Sequence, residues 1–147
     1  MIMKRKATAI WSGTGKEGKG LLHTTSGMLN STPYSFTTRF VSEDGKAGTN
    51  PEELLAASHA GCFNMALSFQ LTGAGFTPDE LHTDAVVTMD TTGAHFKIAR
   101  IDLNLTANVP GITDLQFLEL AQSAKDNCPI SNALSAVEIN LEAKLKN

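Results

Sequence analysis

The sequence has little positive charge, no long apolar runs and few cysteines. Its 147 residues carry a net charge of −3, with an isoelectric point near 5.7. Because proteins that bind nucleic acids usually present a basic patch, this balance argues against a nucleic-acid partner. No stretch of about 18 or more apolar residues runs without polar interruption, so no membrane span is expected. The start, MIMKRKATAIWSG, lacks an apolar segment of about 7–15 residues, so we expect no secretory signal and a cytoplasmic location.

Cysteine occurs only at Cys62 and Cys128. A reducing cytosol does not favour a static disulfide. The remaining roles are buried thiols, redox chemistry or metal ligation. The chain length and a hydrophobic fraction of 41% suit one domain, residues 1–147, with a sizeable core.

The order of apolar patterns predicts an α+β fold. Two helices are expected, one from Glu52 to about Leu71 and an amphipathic one over 113–127, with its apolar side at Leu115, Leu118, Leu120 and Ala121. A short helical piece follows Cys128-Pro129. Alternating or apolar segments predict strands at 3–12, 21–29, 34–40, 81–93, 95–110 and 137–146. Because strands and helices do not alternate regularly, βαβ repeats are not expected.

The first helix has a clear start and unusual sides. Asn50 is a good N-cap, Pro51 fits the first helical position and Glu53 matches a capping box. Apolar residues then run round the whole helix, which predicts that it is buried on all sides. Since one small chain offers too little cover, we expect two such helices to meet in a homodimer.

Each thiol needs activation to react, and the local sequence does not decide which of the two cysteines is the primary nucleophile. A thiol reacts as the thiolate, which an arginine such as Arg39 can stabilise. Cys128 lies just before Pro129 at a helix start, where free N–H groups lower a thiol pKa, whereas Cys62 lies in mid-helix. Cys128 is therefore at least as activated as Cys62 by its local sequence.

Glu52 cannot serve the Cys62 site along their common helix. Ten residues correspond to roughly 15 Å of rise and a face some 80° away. If Glu52 acts at that site, it should come from the antiparallel helix of a second chain.

Other interpretations use the same residues. His59 and Cys62 share a helix face and could bind a metal with Cys128, although a buried, hydrogen-bonded His59 is the preferred interpretation. The protein could also be a protein thiol–disulfide oxidoreductase, or a structural domain with inert thiols.

Two motifs together resemble the OsmC/Ohr family of thiol-dependent hydroperoxide reductases. They are TNPEELLAASHAGCF, residues 49–63, and NCPISNAL, residues 127–134. GKGLLHTTSGMLN, residues 18–30, and PYSFTTRF, residues 33–40, resemble the OsmC (osmotically inducible protein C) branch. The resemblance implies an intertwined homodimer in which antiparallel sheets wrap around a buried central helix, with two active sites at the interface.

The resemblance also implies roles for individual residues. Cys62 would be the peroxidatic cysteine and Cys128 the resolving one, with Arg39 held by Glu52. Substrates in this family are organic hydroperoxides, and an external dithiol or a lipoylated protein supplies the electrons. No haem, flavin or metal is implied. We further expect an apolar lining for the substrate, formed by Phe36, Phe40, Phe63 and Met65.

Overall fold

The computed structural model describes all residues, 1–147, and divides into two compact units, Met1–Leu54 and Leu55–Asn147. Each unit has its own three-stranded sheet. The α+β class is therefore confirmed, while the assignment of 1–147 as a single domain stays a prediction. None of the helices combines the length and the hydrophobicity that a membrane span requires.

The first unit is built on an antiparallel sheet. Strands β1 (Ala7–Ser12), β2 (Lys19–Thr24) and β3 (Thr32–Tyr34) lie in that order, and β1 and β2 form a hairpin. Gly20 of β2 pairs with both Trp11 and Tyr34, whose rings lie 5.4 Å apart. A Cβ atom at Gly20 would collide with the Tyr34 ring, so glycine here lets the aromatic side chains pack over the strand.

The strand predicted for residues 34–40 is wrong beyond Tyr34. The chain instead forms a short π-helix, Thr37–Val41. Ser35 and Thr38 exchange hydrogen bonds, with the Ser35 N–H donating to Thr38 Oγ1 (2.9 Å) and the Thr38 N–H to Ser35 Oγ (3.2 Å). Such local side-chain bonds to the backbone compete with a strand ladder and close a turn instead.

Helix α1 (Pro51–Gly73) begins as its sequence predicts. Asn50 Oδ1 accepts a hydrogen bond of 2.8 Å from the Glu53 N–H, which satisfies one of the free donors of the first turn.

The second unit has a sheet of three strands in sequence order. β4 (Glu80–Asp90) pairs antiparallel with β5 (Lys97–Asn108), and β5 pairs with β6 (Glu138–Leu145). The β5–β6 pairing is parallel, so the expectation of purely antiparallel sheets is wrong for this sheet. The long connection from β5 to β6 through two helices permits this direction.

The core of the second unit lies between this sheet and the helices. From β5, every second residue points into it: Ile101, Leu103, Leu105 and Ala107. From α2 (Asp114–Asn127), the buried residues are Phe117, Ala121 and Ala124. Leu115 and Leu118, predicted on the apolar side, are 68% and 48% exposed. Helix α2 instead directs the Phe117 ring and the small side chains of Ala121 and Ala124 to the core, where they allow close packing.

Helix α1 is buried along only one of its sides within this chain. His59, Phe63, Leu67 and Leu71, spaced four residues apart, are completely buried. On the opposite side, Ala57 and Gly61 are exposed, and Met65 and Phe69 are 63% and 74% exposed. A single chain thus leaves one side of α1 uncovered, and burial on every side stays a prediction for the homodimer. We define Ala57, Gly61, Met65 and Phe69 as the open α1 stripe.

Candidate active site

The two cysteines lie side by side in the second unit. Cys62 Sγ on α1 is 3.0 Å from Cys128 Sγ, and both are free thiols. Cys128 is completely buried, whereas Cys62 is half-buried and therefore open to a small molecule. A disulfide needs about 2.0 Å between the sulfurs, so a movement of about 1 Å would join them.

Cys128 owes its position to the residue after it. Pro129 disfavours helical backbone at the preceding residue, and Cys128 is extended, with φ −64° and ψ 124°. It ends α2 and also starts α3 (Pro129–Ala133). The Asn132 N–H donates to the Cys128 carbonyl (3.0 Å), which anchors the new helix on this residue.

The surroundings shift the pKa values of the two thiols in opposite directions. Burial raises the pKa of Cys62, and its hydrogen bond with Cys128 raises it further. Burial also raises the pKa of Cys128, but the Cys62 thiol, the Ser131 amide and hydroxyl, and the Ile130 amide together lower it below the ordinary value. More hydrogen-bond donors therefore act on Cys128 than on Cys62, which lowers the pKa of Cys128 relative to that of Cys62. This direction agrees with the argument from the helix start.

A second bridge runs beside the two sulfurs. His59 Nε2 and Ser131 Oγ are 2.7 Å apart, and both residues are buried. His59 precedes Cys62 by three residues on α1, and Ser131 follows Cys128 by three, so the two bridges connect the same pair of helices. The preferred interpretation of His59 as a buried, hydrogen-bonded residue is confirmed. Ser131 was missed, and its only signal in the sequence is its place in the first turn after Cys128-Pro129.

Arg39 and Glu52 form an ion pair in the first unit. Arg39 Nη2 lies 2.7 Å from Glu52 Oε1, and Arg39 Nε lies 3.2 Å from Glu52 Oε2. This two-pronged geometry fixes the guanidinium plane. The cation also lies 4.9 Å from the centre of the Phe40 ring. Since the pair leaves Arg39 Nη1 without a bond to Glu52, the guanidinium keeps donors for a ligand.

An aromatic cavity of about 260 Å³ adjoins this ion pair within the first unit. Its wall consists of Trp11, Gly15, Tyr34, Ser35, Phe36, Arg39, Phe40 and Pro51. The rings of Phe36 and Phe40 are 5.0 Å apart. Trp11 and Tyr34 were not among the predicted lining residues. Apolar walls with one fixed cation suit a small molecule that has an apolar group and a polar end.

The other predicted lining residues lie elsewhere. Phe63 is completely buried in the core of the second unit and has no open surface for a substrate in a single chain. Met65 belongs to the open α1 stripe. The structure therefore brings Phe36 and Phe40 together with Arg39, but adds neither Phe63 nor Met65 to that cavity.

The structure does not assemble the alternative metal site. His59 directs Nε2 to Ser131, and no group of three or more His, Cys, Asp or Glu side chains is placed to hold a metal ion.

Comparison with known proteins places the chain in a family. A family profile described as "OsmC-like protein" matches residues 43–142. "Peroxiredoxin OsmC" of Escherichia coli strain K12 is 48% identical over 147 residues, covering 100% of both chains. "Organic hydroperoxide resistance protein OhrB" of Bacillus subtilis strain 168 is 32% identical over 104 residues, which cover 69% of this chain and 74% of OhrB.

Solved structures share the fold. The crystal structure of an OsmC-like protein from Mycoplasma pneumoniae has a TM-score of 0.78 at 17% identity, with 100% of both chains covered. That of OhrB from Bacillus subtilis has a TM-score of 0.68 at 25% identity, with 98% of each covered. The chain belongs to the OsmC family, as its two cysteine motifs predicted.

Proposed function

We propose that the protein is a peroxidase that reduces organic hydroperoxides to alcohols with Cys62 and Cys128. The observation that carries this proposal is the separation of 3.0 Å between two free sulfurs, of which one is accessible and the other buried. Such a pair can be oxidised to a sulfenic acid and then closed as a disulfide before further oxidation. The family, and the similarity over the full length to Peroxiredoxin OsmC of Escherichia coli, support a peroxidase activity.

Cys62 is the residue that meets the peroxide, because Cys128 is completely buried. The Cys62 thiolate attacks the outer peroxide oxygen, the O–O bond breaks, and the alkoxide leaves and takes up a proton. Cys62 becomes a sulfenic acid. Cys128 then attacks the Cys62 sulfur, the S–O bond breaks and water leaves. An external dithiol or a lipoylated protein returns two electrons and two protons to the disulfide.

Cys62 needs a cation that its own surroundings do not supply. Its pKa is raised by burial and by Cys128, so few molecules carry the thiolate at neutral pH. Arg39, held by Glu52, is the natural source of the positive charge. Because Glu52 and Cys62 are ten residues apart on one continuous helix, we assign this ion pair to the Cys62 of a second chain.

The open α1 stripe is the surface for that second chain. Met65 and Phe69 expose most of their side chains, and Ala57 and Gly61 let another backbone approach closely. Burying one large apolar side chain contributes about 1.5–3 kcal/mol. The protein therefore acts as a homodimer in which each copy provides Arg39 and Glu52 to the cysteines of the other.

The aromatic cavity beside Arg39 receives the organic part of the substrate. A volume of about 260 Å³ suits a compact alkyl or aryl group, and the walls offer it apolar contact. Arg39 then faces the peroxide oxygens. Hydrogen peroxide has no apolar group to place there and is the poorer substrate.

Thiol counting by mass spectrometry tests the proposal. The reduced protein is treated with a slight excess of cumene hydroperoxide, and the expected loss is two hydrogens per chain. Cys62→Ser should consume no peroxide, and Cys128→Ser should over-oxidise at Cys62. If Cys62→Ser stays active while Cys128→Ser does not, the roles are reversed. If the wild-type thiols survive the peroxide but exchange with protein disulfides, the protein is a thiol–disulfide oxidoreductase instead.

A further inference from the structure

We infer that His59 and Ser131 form a hydrogen-bond relay that orients the Ser131 hydroxyl towards Cys128 and prepares this thiol for the resolving step. The inference rests on the proposed function and assigns a positioning role to two residues that do not touch the peroxide. It starts from the arrangement of two parallel bridges between α1 and α3, one between sulfurs and one between His59 and Ser131.

The position of the proton on His59 follows from its surroundings. His59 is completely buried, Nε2 lies 2.7 Å from Ser131 Oγ, and Nδ1 has no hydrogen-bond partner. A buried N–H without an acceptor is rarer in native proteins than an unfilled lone pair. Nε2 therefore carries the hydrogen and donates it to Ser131 Oγ. Burial lowers the pKa of His59, which keeps the ring neutral in this role.

The direction of the first bond fixes the second. A hydroxyl that accepts from His59 keeps its own hydrogen for another partner. Ser131 lies three residues after Cys128 in the first turn of α3, so its remaining hydrogen can be turned towards the Cys128 sulfur. The lowered pKa of Cys128 agrees with such a donor. With the opposite histidine tautomer, Ser131 would give its hydrogen to His59 and could not donate to the sulfur. The relay thus stabilises the thiolate.

The thiolate is the form that performs the resolving step. Cys128 attacks the sulfur of the Cys62 sulfenic acid, the S–S bond forms and the S–O bond breaks. The departing hydroxide takes up one proton, equal to the one that Cys128 lost, so the products are the disulfide and water. Neither His59 nor Ser131 changes its protonation in this balance. Their contribution is to keep the hydroxyl turned towards the nucleophile.

Other groups also face this region. Cys62 contacts Cys128 directly, and Lys125 and Asp126 line, together with Ser131, a surface pocket of about 240 Å³. Lys125→Met and Asp126→Asn separate the effect of these charges from that of the relay. Ser135→Ala removes an exposed hydroxyl near the same pocket and is the matched control for Ser131→Ala.

The first test measures the Cys128 pKa by ultraviolet absorbance of the thiolate in a Cys62→Ser background. We expect Ser131→Ala to raise it by about one unit, the order of one hydrogen bond to a charged group. His59→Leu should raise it by about half a unit, and His59→Gln, which keeps a donor, should restore it. In the Ser131→Ala background, His59→Leu should add nothing. An unchanged pKa in folded Ser131→Ala, or additive shifts, would overturn the relay.

Two further measurements separate this inference from the proposed function. Nitrogen-15 NMR of the reduced wild-type protein should show His59 protonated on Nε2 at neutral pH, and protonation on Nδ1 would refute the relay. In stopped-flow experiments with peroxide, Ser131→Ala should leave sulfenic acid formation unchanged and slow disulfide formation about threefold to tenfold. If the wild type consumes no peroxide, the proposed function fails, while the NMR and pKa results still decide whether the relay exists.

Discussion

Arg39 should activate the Cys62 of the partner chain, and mixed dimers can show this. In one chain, burial and Cys128 hold the pKa of Cys62 above its ordinary value. An opposite charge within about 4–6 Å lowers a pKa by about 1–3 units. Arg39→Met should therefore reduce the Cys62 thiolate fraction, and the rate of peroxide reduction at neutral pH, by about tenfold to a thousandfold. Arg100→Met removes another arginine, which is paired to Asp102 at 2.9 Å, and should have no such effect.

The arrangement of the site follows from mixing Arg39→Met with Cys62→Ser. Neither variant has a complete site in its own homodimer. After subunit exchange in equal amounts, about half of the dimers are mixed, and each contains one complete site, so about a quarter of the wild-type sites should return. The assay is the initial rate with cumene hydroperoxide, with differently tagged chains to prove exchange. Activity that stays at the level of the separate variants after proven exchange would refute the partner arrangement.

Three further predictions follow from the same features. Phe69→Lys places a charge in the open α1 stripe and should convert the dimer to monomers in sedimentation experiments. Thr91→Lys in the β4–β5 connection is the control and should leave the dimer intact. If Phe69→Lys also leaves the dimer intact, the stripe is not the interface. Phe40→Ala should raise the KM for cumene hydroperoxide about tenfold, which is roughly the effect of losing one apolar contact in a pocket. The KM for hydrogen peroxide should stay unchanged. Equal changes in the two KM values would exclude the aromatic cavity as the binding site. Burial lowers the pKa of His59 below 6.5, so the neutral ring contributes fully to stability above pH 6.5. This contribution declines as the pH falls through the lowered pKa. The free energy of unfolding measured in urea should show that decline in the wild type and a smaller decline in His59→Gln.

The sequence predicted those elements whose signals are local. The cap at Asn50, the break at Cys128-Pro129 and the α+β class follow from residue types at fixed spacings. The strand prediction for the segment after Tyr34 was wrong because alternating polarity is typical of a strand. The turn is closed by paired hydrogen bonds of Ser35 and Thr38, which a polarity pattern does not predict. The prediction that Leu115 and Leu118 lie on the core-facing side of α2 was wrong, because hydrophobicity alone does not determine which side of a helix faces the core.

The site was predictable only in part for a similar reason. The cysteine motifs identified Cys62 and Cys128, but not the distance between them, which depends on how α3 packs against α1. Ser131 was missed because a serine in a short helix carries no signal without its partner, which lies 72 positions earlier in the chain at His59.

The break between α2 and α3 gives Cys128 a geometry that does not depend on its oxidation state. The extended backbone at this residue is imposed by the ring of Pro129, which is covalent and remains the same in the thiol, the thiolate and the disulfide. Without the proline, α2 and α3 could join into one helix and rotate the sulfur away from Cys62. The proposed cycle of oxidation and reduction would therefore demand no refolding at this junction. The Cys128-Pro129 junction therefore keeps the backbone that carries the Cys128 sulfur in one conformation.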